Sequence, residues 1–170
     1  MKNPLLGAKL YLGGAIECDN GPNWRIEPSR ILSEKFGIEI TDPTLDLKQQ
    51  WAPELAEARS RKDFDKMAKI AKSFVWKDLI LINKCDILCS FLKKDVPTCG
   101  THHEITYAHS QKMPVLLVGN GKENLPAWYF GVINHKYMFG SWEDLYSYLE
   151  EVRDGKHADD KRWAYLYNLI

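Results

Sequence analysis

The sequence predicts an α/β fold, a mostly parallel sheet layered between helices. Short continuous apolar runs at 9–16 (KLYLGGAI), 86–92 (DILCSFL) and 114–118 (PVLLV) read as strands buried on both faces, the pattern of parallel pairing. Helical segments separate these runs, and strands alternating with helices build βαβ units. The chain has 170 residues, 45% hydrophobic and 27% charged, which suits one domain over 1–170 with one sizeable core.

The elements follow in order. The first strand ends in Gly13-Gly14, a turn signal that the DNGPN loop continues. A helix is predicted over about 25–36, with Pro28 tolerated only in its first turn and Gly37 closing it. IEIT at 38–41 is a second short strand, stopped by Asp42-Pro43-Thr44. Residues 45–62 are polar and include Trp51 and Pro53, and they read as a long loop with one or two helical turns. The strongest helical period runs over 63–83, through Phe64, Met67, Ala71, Phe74, Val75, Leu79 and Ile82. A helix over about 101–111, a short one near 125–130, an edge strand at KYMF and a helix at 142–152 follow. The tail 155–170 is charged and then aromatic, so it docks on its own core or meets a second subunit.

Charge excludes some functions. Lys plus Arg and Asp plus Glu each number 23, so no basic field invites a nucleic-acid polymer or a membrane surface. No apolar run reaches the length of a bilayer span, and Lys9 interrupts the N-terminal apolar stretch, so neither a transmembrane helix nor a signal peptide is expected. Cys18, Cys85, Cys89 and Cys99 form no C-x-x-C pair and fit thiols in a reducing cytoplasm.

In parallel sheets, ligands bind beyond the carboxyl ends of the strands. That rule gathers the GGAIE turn, the stretch after 86–92 and the GTHHE helix start at one rim. Within GTHHE, Glu104 stands three residues after Thr101, the spacing of a capping box, so it caps the helix or serves as a carboxylate aimed into the cleft. Asp78 falls on the apolar face of its helix, where an Asp is rarely buried without a partner; it is paired, wet or functional. Asp86 opens a strand and Asp42 precedes a Pro, both ordinary turn positions. Trp24 offers a stacking surface or a core residue, and Arg25 a donor fork or a solvated charge. His102 and His103 point about a hundred degrees apart and have no third ligand nearby, so no metal is expected. GGAIECDNG does not fit G-x-G-x-x-G, so a dinucleotide site is not expected.

Taken in order, the motifs resemble those of the nucleoside 2-deoxyribosyltransferase family. YLGGAIE is similar to its Y-(L/F)-x-G-P/S-I strand end, KDLILINKCDIL to its D-x-x-x-(I/L)-x-x-(S/C)-D-(I/V), and GTHHEITYA with KMPVLLV to its G-T-x-x-E and K-P-V segments. NGPNWR, the Asp42-Pro43 pair and the ending LPAWYFG with FGSWEDLYSYL also match, so the resemblance spans about 8–152.

The resemblance implies a flavodoxin-like three-layer sandwich with a five-stranded sheet in the order 2-1-3-4-5. It implies cleavage of the bond between a nucleobase and C1′ of a ribose or deoxyribose. Glu104 would be the nucleophile, Asp78 the partner handling the base or its proton, and Asp86 a more structural residue. The implied substrate-binding set is Tyr11, Gly13, Gly14, Ile16, Trp24, Arg25, Asp86, Thr98, Gly100 and Thr101. A small nucleoside or nucleotide partner, no cofactor and assembly as a homodimer or larger oligomer are further implications.

Two departures stand out. Thr98 lies six residues before Glu104, where nucleoside transferases usually carry an Asp that meets the sugar 5′-hydroxyl. A hydroxyl there, with Thr101 and Arg25, hints at a nucleoside 5′-monophosphate, as in the hydrolytic N-glycosidase relatives. GGAI also has Gly where the family often has Pro. The rival readings are a non-catalytic nucleotide sensor on the same scaffold and a flavodoxin-like redox module.

Overall fold

The computed structural model describes residues 3–16, 23–45 and 51–168. Five strands, β1 (Lys9–Gly14), β2 (Glu39–Thr41), β3 (Ile87–Leu92), β4 (Val115–Gly119) and β5 (Met138–Phe139), form one sheet in the order β2-β1-β3-β4-β5. Every pairing is parallel. This is the predicted α/β architecture and strand order. Two of the apolar runs form strands buried throughout, all six residues of β3 and all five of β4, and the third forms β1, buried from Leu10 to Gly14.

The described residues also form seven α-helices: α1 (Ile26–Phe36), α2 (Trp51–Ser60), α3 (Phe64–Asn83), α4 (Cys99–Ser110), α5 (Ala127–Val132), α6 (Trp142–Arg153) and α7 (Ala164–Asn168). α1 packs with α6, while α3 packs with α2 and with α4, which in turn lies against β1, β3 and β4. Successive side chains along β1 therefore face different layers. Tyr11 and Gly13 face α4, and Gly14 faces Trp24.

Local signals explain the helix ends. Gly37 closes α1 with φ 74°, its N–H reaching the carbonyls of Leu32 and Ser33, a left-handed cap that suits glycine. Asp63 caps α3 by accepting from the Lys66 N–H, and Ser141 caps α6 by accepting from the Asp144 N–H.

Three expectations are corrected. Residues 51–60, read as part of a long loop with one or two helical turns, form the ten-residue helix α2, with Pro53 in its first turn, where proline costs no hydrogen bond. Only Leu55 and Ala58 of that helix are buried, too few to reveal its period in the sequence. On α3, Ile82 is buried and Met67, Ala71, Phe74 and Leu79 are half-buried as the sequence outlines, but Phe64 and Val75 are exposed and Ile70 is buried instead. α4 begins at Cys99 with Thr98 as N-cap, so Glu104 sits in the second turn, beyond the reach of a capping box.

The aromatic tail docks on its own chain. Trp163 is fully buried and donates from its indole N–H to the Tyr148 hydroxyl at 2.7 Å. Tyr165 donates to the carbonyl of Asp86 at 2.6 Å, and Tyr167 donates to the carbonyl of Val152. The tail thereby closes the amino end of the sheet, the rim opposite the strand ends expected to bind ligand.

Candidate active site

A cleft of about 270 Å³ opens at the carboxyl rim. Gly14 and Ile16 of the β1 turn, Pro43 after β2, Trp51 of α2, Phe74 and Asp78 of α3, and residues 97–101 with Glu104 line it. Sequence positions far apart thus converge where the topology of a parallel sheet places ligands.

Glu104 is held from the sheet. Its Oε1 accepts from the Tyr11 hydroxyl at 2.6 Å, a charge-assisted length. Tyr11 is wholly buried, and burial, then the adjacent Glu104 carboxylate, push its hydroxyl well above the usual tyrosine range. It therefore stays a proton donor across the working pH range. Gly13 makes room for the arrangement: a Cβ there would stand 3.2 Å from Glu104 Oε2 and 2.7 Å from Ser90 Oγ. The question left by the sequence is answered by this geometry. Glu104 does not fold back on Thr101; it reaches across to β1 at the edge of the cleft.

Asp78 lines the same cleft, half-buried, with its Oδ1 shielded from solvent. Beside it, one turn earlier on α3, Phe74 stacks on Trp51 of α2 with ring centroids 4.4 Å apart and planes 21° from parallel. The cleft thus has the aromatic pair and Asp78 on its α2–α3 side and Glu104 on its α4 side. The N-terminal turn of α4 forms its floor, with Thr98 donating to the Thr101 hydroxyl. Unpaired amides at a helix start, together with the helix dipole, favour an anionic group there.

The structure divides the expected residues. Gly14, Ile16, Asp78, Thr98, Gly100, Thr101 and Glu104 line the cleft, with Tyr11 and Gly13 directly behind Glu104. Trp24 lies behind Gly14 instead, packed on Phe91 at 5.0 Å and Trp142 at 5.8 Å. A Cβ on Gly14 would strike its ring at 2.4 Å, so this Trp is the back support of the turn and not a ligand platform.

Arg25 is buried and faces away from the cleft. Its guanidinium donates to the carbonyls of Gly14 at 2.9 Å and Ala15 at 3.4 Å, stands 3.5 Å from Asp42, and lies over the Trp24 ring. It braces the β1 turn from behind, so the expected phosphate fork is not formed. Asp42, read as a turn residue, is one: its Oδ1 also accepts from the N–H and hydroxyl of Thr44. Asp86 sits before β3 at the opposite rim, where its carboxylate accepts from the Lys9 N–H at 2.8 Å. It is remote from the cleft because β3 runs its full six residues between them.

His102 turns from the cleft and stacks on Tyr129, its Nδ1 2.5 Å from that hydroxyl, and burial lowers its pKa. His103 is exposed. Cys85, Cys89 and Cys99 are free thiols, and Cys18 lies outside the described residues. Among the described residues no helix is long and apolar enough to cross a membrane. A larger hollow of about 520 Å³ at the other rim is lined by His109, Asp160 and Arg162, but Asp160 there is already engaged by Lys136 and Tyr137.

Reading the sequence missed Trp51, Phe74 and Ser90. Trp51 lay in the supposed loop, Phe74 was counted as core, and Ser90 sat inside an apolar run that drew attention only as a strand.

No protein-family model matches the chain, and no curated protein matches it. Solved structures do. A 2-deoxyribosyltransferase from Leishmania mexicana is similar with a TM-score of 0.55 and 18% identity over 84% of this chain and 97% of that one. The 2-deoxyribosyltransferase from Bacillus psychrosaccharolyticus is similar with a TM-score of 0.51 and 17% identity over 84% of this chain and 96% of that one. The chain therefore shares their fold across nearly their whole length.

Proposed function

We propose that this protein is a nucleoside 2-deoxyribosyltransferase-like enzyme. It cleaves the N-glycosidic bond of a (deoxy)nucleoside or its 5′-monophosphate, using Glu104 as nucleophile. The observation that carries this reading is the Tyr11–Glu104 hydrogen bond at the mouth of a cleft that also holds Asp78. The fold shared with two 2-deoxyribosyltransferases and the ordered sequence motifs support the same chemistry.

The geometry suggests each role. A base stacks on Trp51, presenting C1′ of its sugar to Glu104. As the C1′–N bond breaks, positive charge develops on the sugar ring, and the Glu104 carboxylate stabilises it and closes the C1′–O bond. Tyr11 keeps hold of Oε1, so the carboxylate arrives already oriented. The electron pair of the broken bond leaves on the base nitrogen. Asp78, in the same cleft, acts as the general acid that hands the base the proton it needs. Water or a second base then attacks C1′ and frees Glu104, completing hydrolysis or transfer.

The α4 start offers amides and the Thr98 and Thr101 hydroxyls to the sugar 5′ end, without a carboxylate to repel a phosphate. We favour a 5′-monophosphate on that ground. The protein acts as a single domain on a small molecule, in a homodimer or larger oligomer, in a reducing cytoplasm where Cys85, Cys89 and Cys99 stay free.

The test is base release. The protein is incubated with each deoxynucleoside and its 5′-monophosphate, with and without an acceptor base. Free base with no acceptor marks hydrolysis, and a new nucleoside marks transfer. Ligand-induced thermal stabilisation without any release would leave a nucleotide sensor in place of the enzyme.

A further inference from the structure

Ser90 is the one polar residue in the interior of β3, and it is fully buried. Its Oγ is shielded from solvent and has no hydrogen-bond partner among the described residues. A buried hydroxyl left without a partner is destabilising, so its presence in an otherwise apolar strand calls for a reason. Register supplies one. Ser90 pairs with Gly13 across the β1–β3 ladder, and a Cβ on Gly13 would stand 2.7 Å from Ser90 Oγ and 3.2 Å from Glu104 Oε2. The serine hydroxyl and the second oxygen of Glu104 therefore border the same small space over Gly13, a space that exists because residue 13 has no side chain.

From this we infer that Ser90 is a positioning residue for Glu104. Its hydroxyl swings over Gly13 to donate to Oε2, as Tyr11 donates to Oε1. A serine χ1 has three staggered wells, so the swing needs no backbone movement. The carboxylate would then be gripped at both oxygens, from β1 and from β3. The inference rests on the reading of Glu104 as the nucleophile only for its catalytic consequence. The grip itself is a property of the chain without substrate.

Other groups bear on the titration of Glu104. Tyr11 faces it from β1, Asp78 shares its cleft from α3, and Arg25 at the start of α1 acts on the Tyr11 hydroxyl. Ser90 is uncharged, so removing it changes donation to Glu104 and leaves these charges in place.

The test compares Ser90→Ala and Ser90→Thr with the unaltered protein. The Glu104 carboxyl is titrated by carbon-13 NMR of glutamate-labelled protein, assigned by its loss in Glu104→Gln. A donor to a carboxylate lowers its pKa, so Ser90→Ala is expected to raise it by about half a unit to one unit. Ser90→Thr keeps the hydroxyl and is expected to hold the original value. In turnover, Ser90→Ala is expected to lower kcat about tenfold with KM nearly unchanged, as for an interaction that acts through the nucleophile. A bystander hydroxyl behaves differently: its removal leaves the titration and kcat unchanged and leaves Tm equal or higher. An unmoved Glu104 titration in Ser90→Ala overturns the inference. Absence of turnover on every nucleoside and nucleotide, with the titration still moved, overturns the glycosidic reading and leaves the role of Ser90 standing.

Discussion

The two rims of the sheet use carboxylates in opposite ways. At the amino rim, Asp86 accepts from the Lys9 backbone, and Asp160 accepts from the Tyr137 hydroxyl and the Arg162 N–H while pairing with Lys136. Each is surrounded by donors that fix the chain, and the tail closes over them. At the carboxyl rim, Glu104 and Asp78 face into a cleft walled by Trp51 and Phe74. Carboxyl groups thus brace the chain at one end of the strands and line an open cleft at the other. What separates them is where the chain brings its hydrogen-bond donors, a property of topology that composition does not reveal.

The contrast yields predictions of decreasing size. Glu104→Gln is expected to lower kcat by roughly a thousandfold or more, as loss of a covalent nucleophile does, while the unfolding midpoint stays near that of the unaltered protein. Steady-state base release alongside thermal melting checks both halves.

At the other rim the effect should be on stability alone. Trp163→Ala empties a fully buried site and removes the donor to Tyr148, a loss of about 3–5 kcal/mol. Urea unfolding is expected to show it, with kcat of the folded fraction unchanged. A large fall in kcat at full folding would mean that the tail communicates with the cleft and would break the contrast.

Tyr11→Phe keeps the packing and deletes one hydrogen bond to a carboxylate, worth about 1.5–3 kcal/mol. Expressed in kcat that is roughly a ten- to hundredfold fall. The acid limb of the kcat profile is also expected to move upward, because Glu104 loses a donor that favours its charged form. A displaced KM with kcat intact would assign Tyr11 to substrate binding instead.

Buried tyrosines also make the fold sensitive to alkali. Burial pushes the Tyr129 hydroxyl up to about 12, against an unfolded value of about 10, and Tyr11 is raised further by burial and by Glu104. A tyrosine whose folded pKa is raised contributes stability fully present below its unfolded pKa and lost as pH rises through the folded one. Urea midpoints are therefore expected to hold steady up to about pH 10 and to fall between there and about 12. The decline should be less steep in Tyr129→Phe.

The smallest effect belongs to Asp86→Asn, which weakens the bond to the Lys9 N–H. A loss of about 1 kcal/mol and an unaltered kcat are expected, by denaturant unfolding and base release. A substantial loss of activity would return Asp86 to the substrate site.

Much of the fold was legible because its signals are local or periodic. The apolar runs of β3 and β4, Gly37 after α1 and the long period of α3 fixed the elements, and alternation fixed the parallel sheet. α2 was hidden because it buries only Leu55 and Ala58, so no stripe marks it. For the site, spacing alone favoured a capping role for Glu104, and only the motif order pointed to chemistry. That Glu104 meets Tyr11, ninety-three residues away, instead of capping α4 is a property of the assembled sheet. Arg25 shows the reverse. Its residue type suited a phosphate fork, yet the fold buries it against the carbonyls of Gly14 and Ala15. Ser90 carried no signal in a strand of apolar neighbours, and its meaning came only from its pairing with Gly13.

The central claim is that Glu104 forms a covalent bond to C1′. It is tested most directly by mixing the protein with a deoxynucleoside or its 5′-monophosphate, quenching in acid during turnover, and weighing the intact chain and its peptides. The account predicts a mass increase of one glycosyl group, on the peptide that contains Glu104 and absent in Glu104→Gln. Base release without an adduct, or an adduct on another residue, would contradict it.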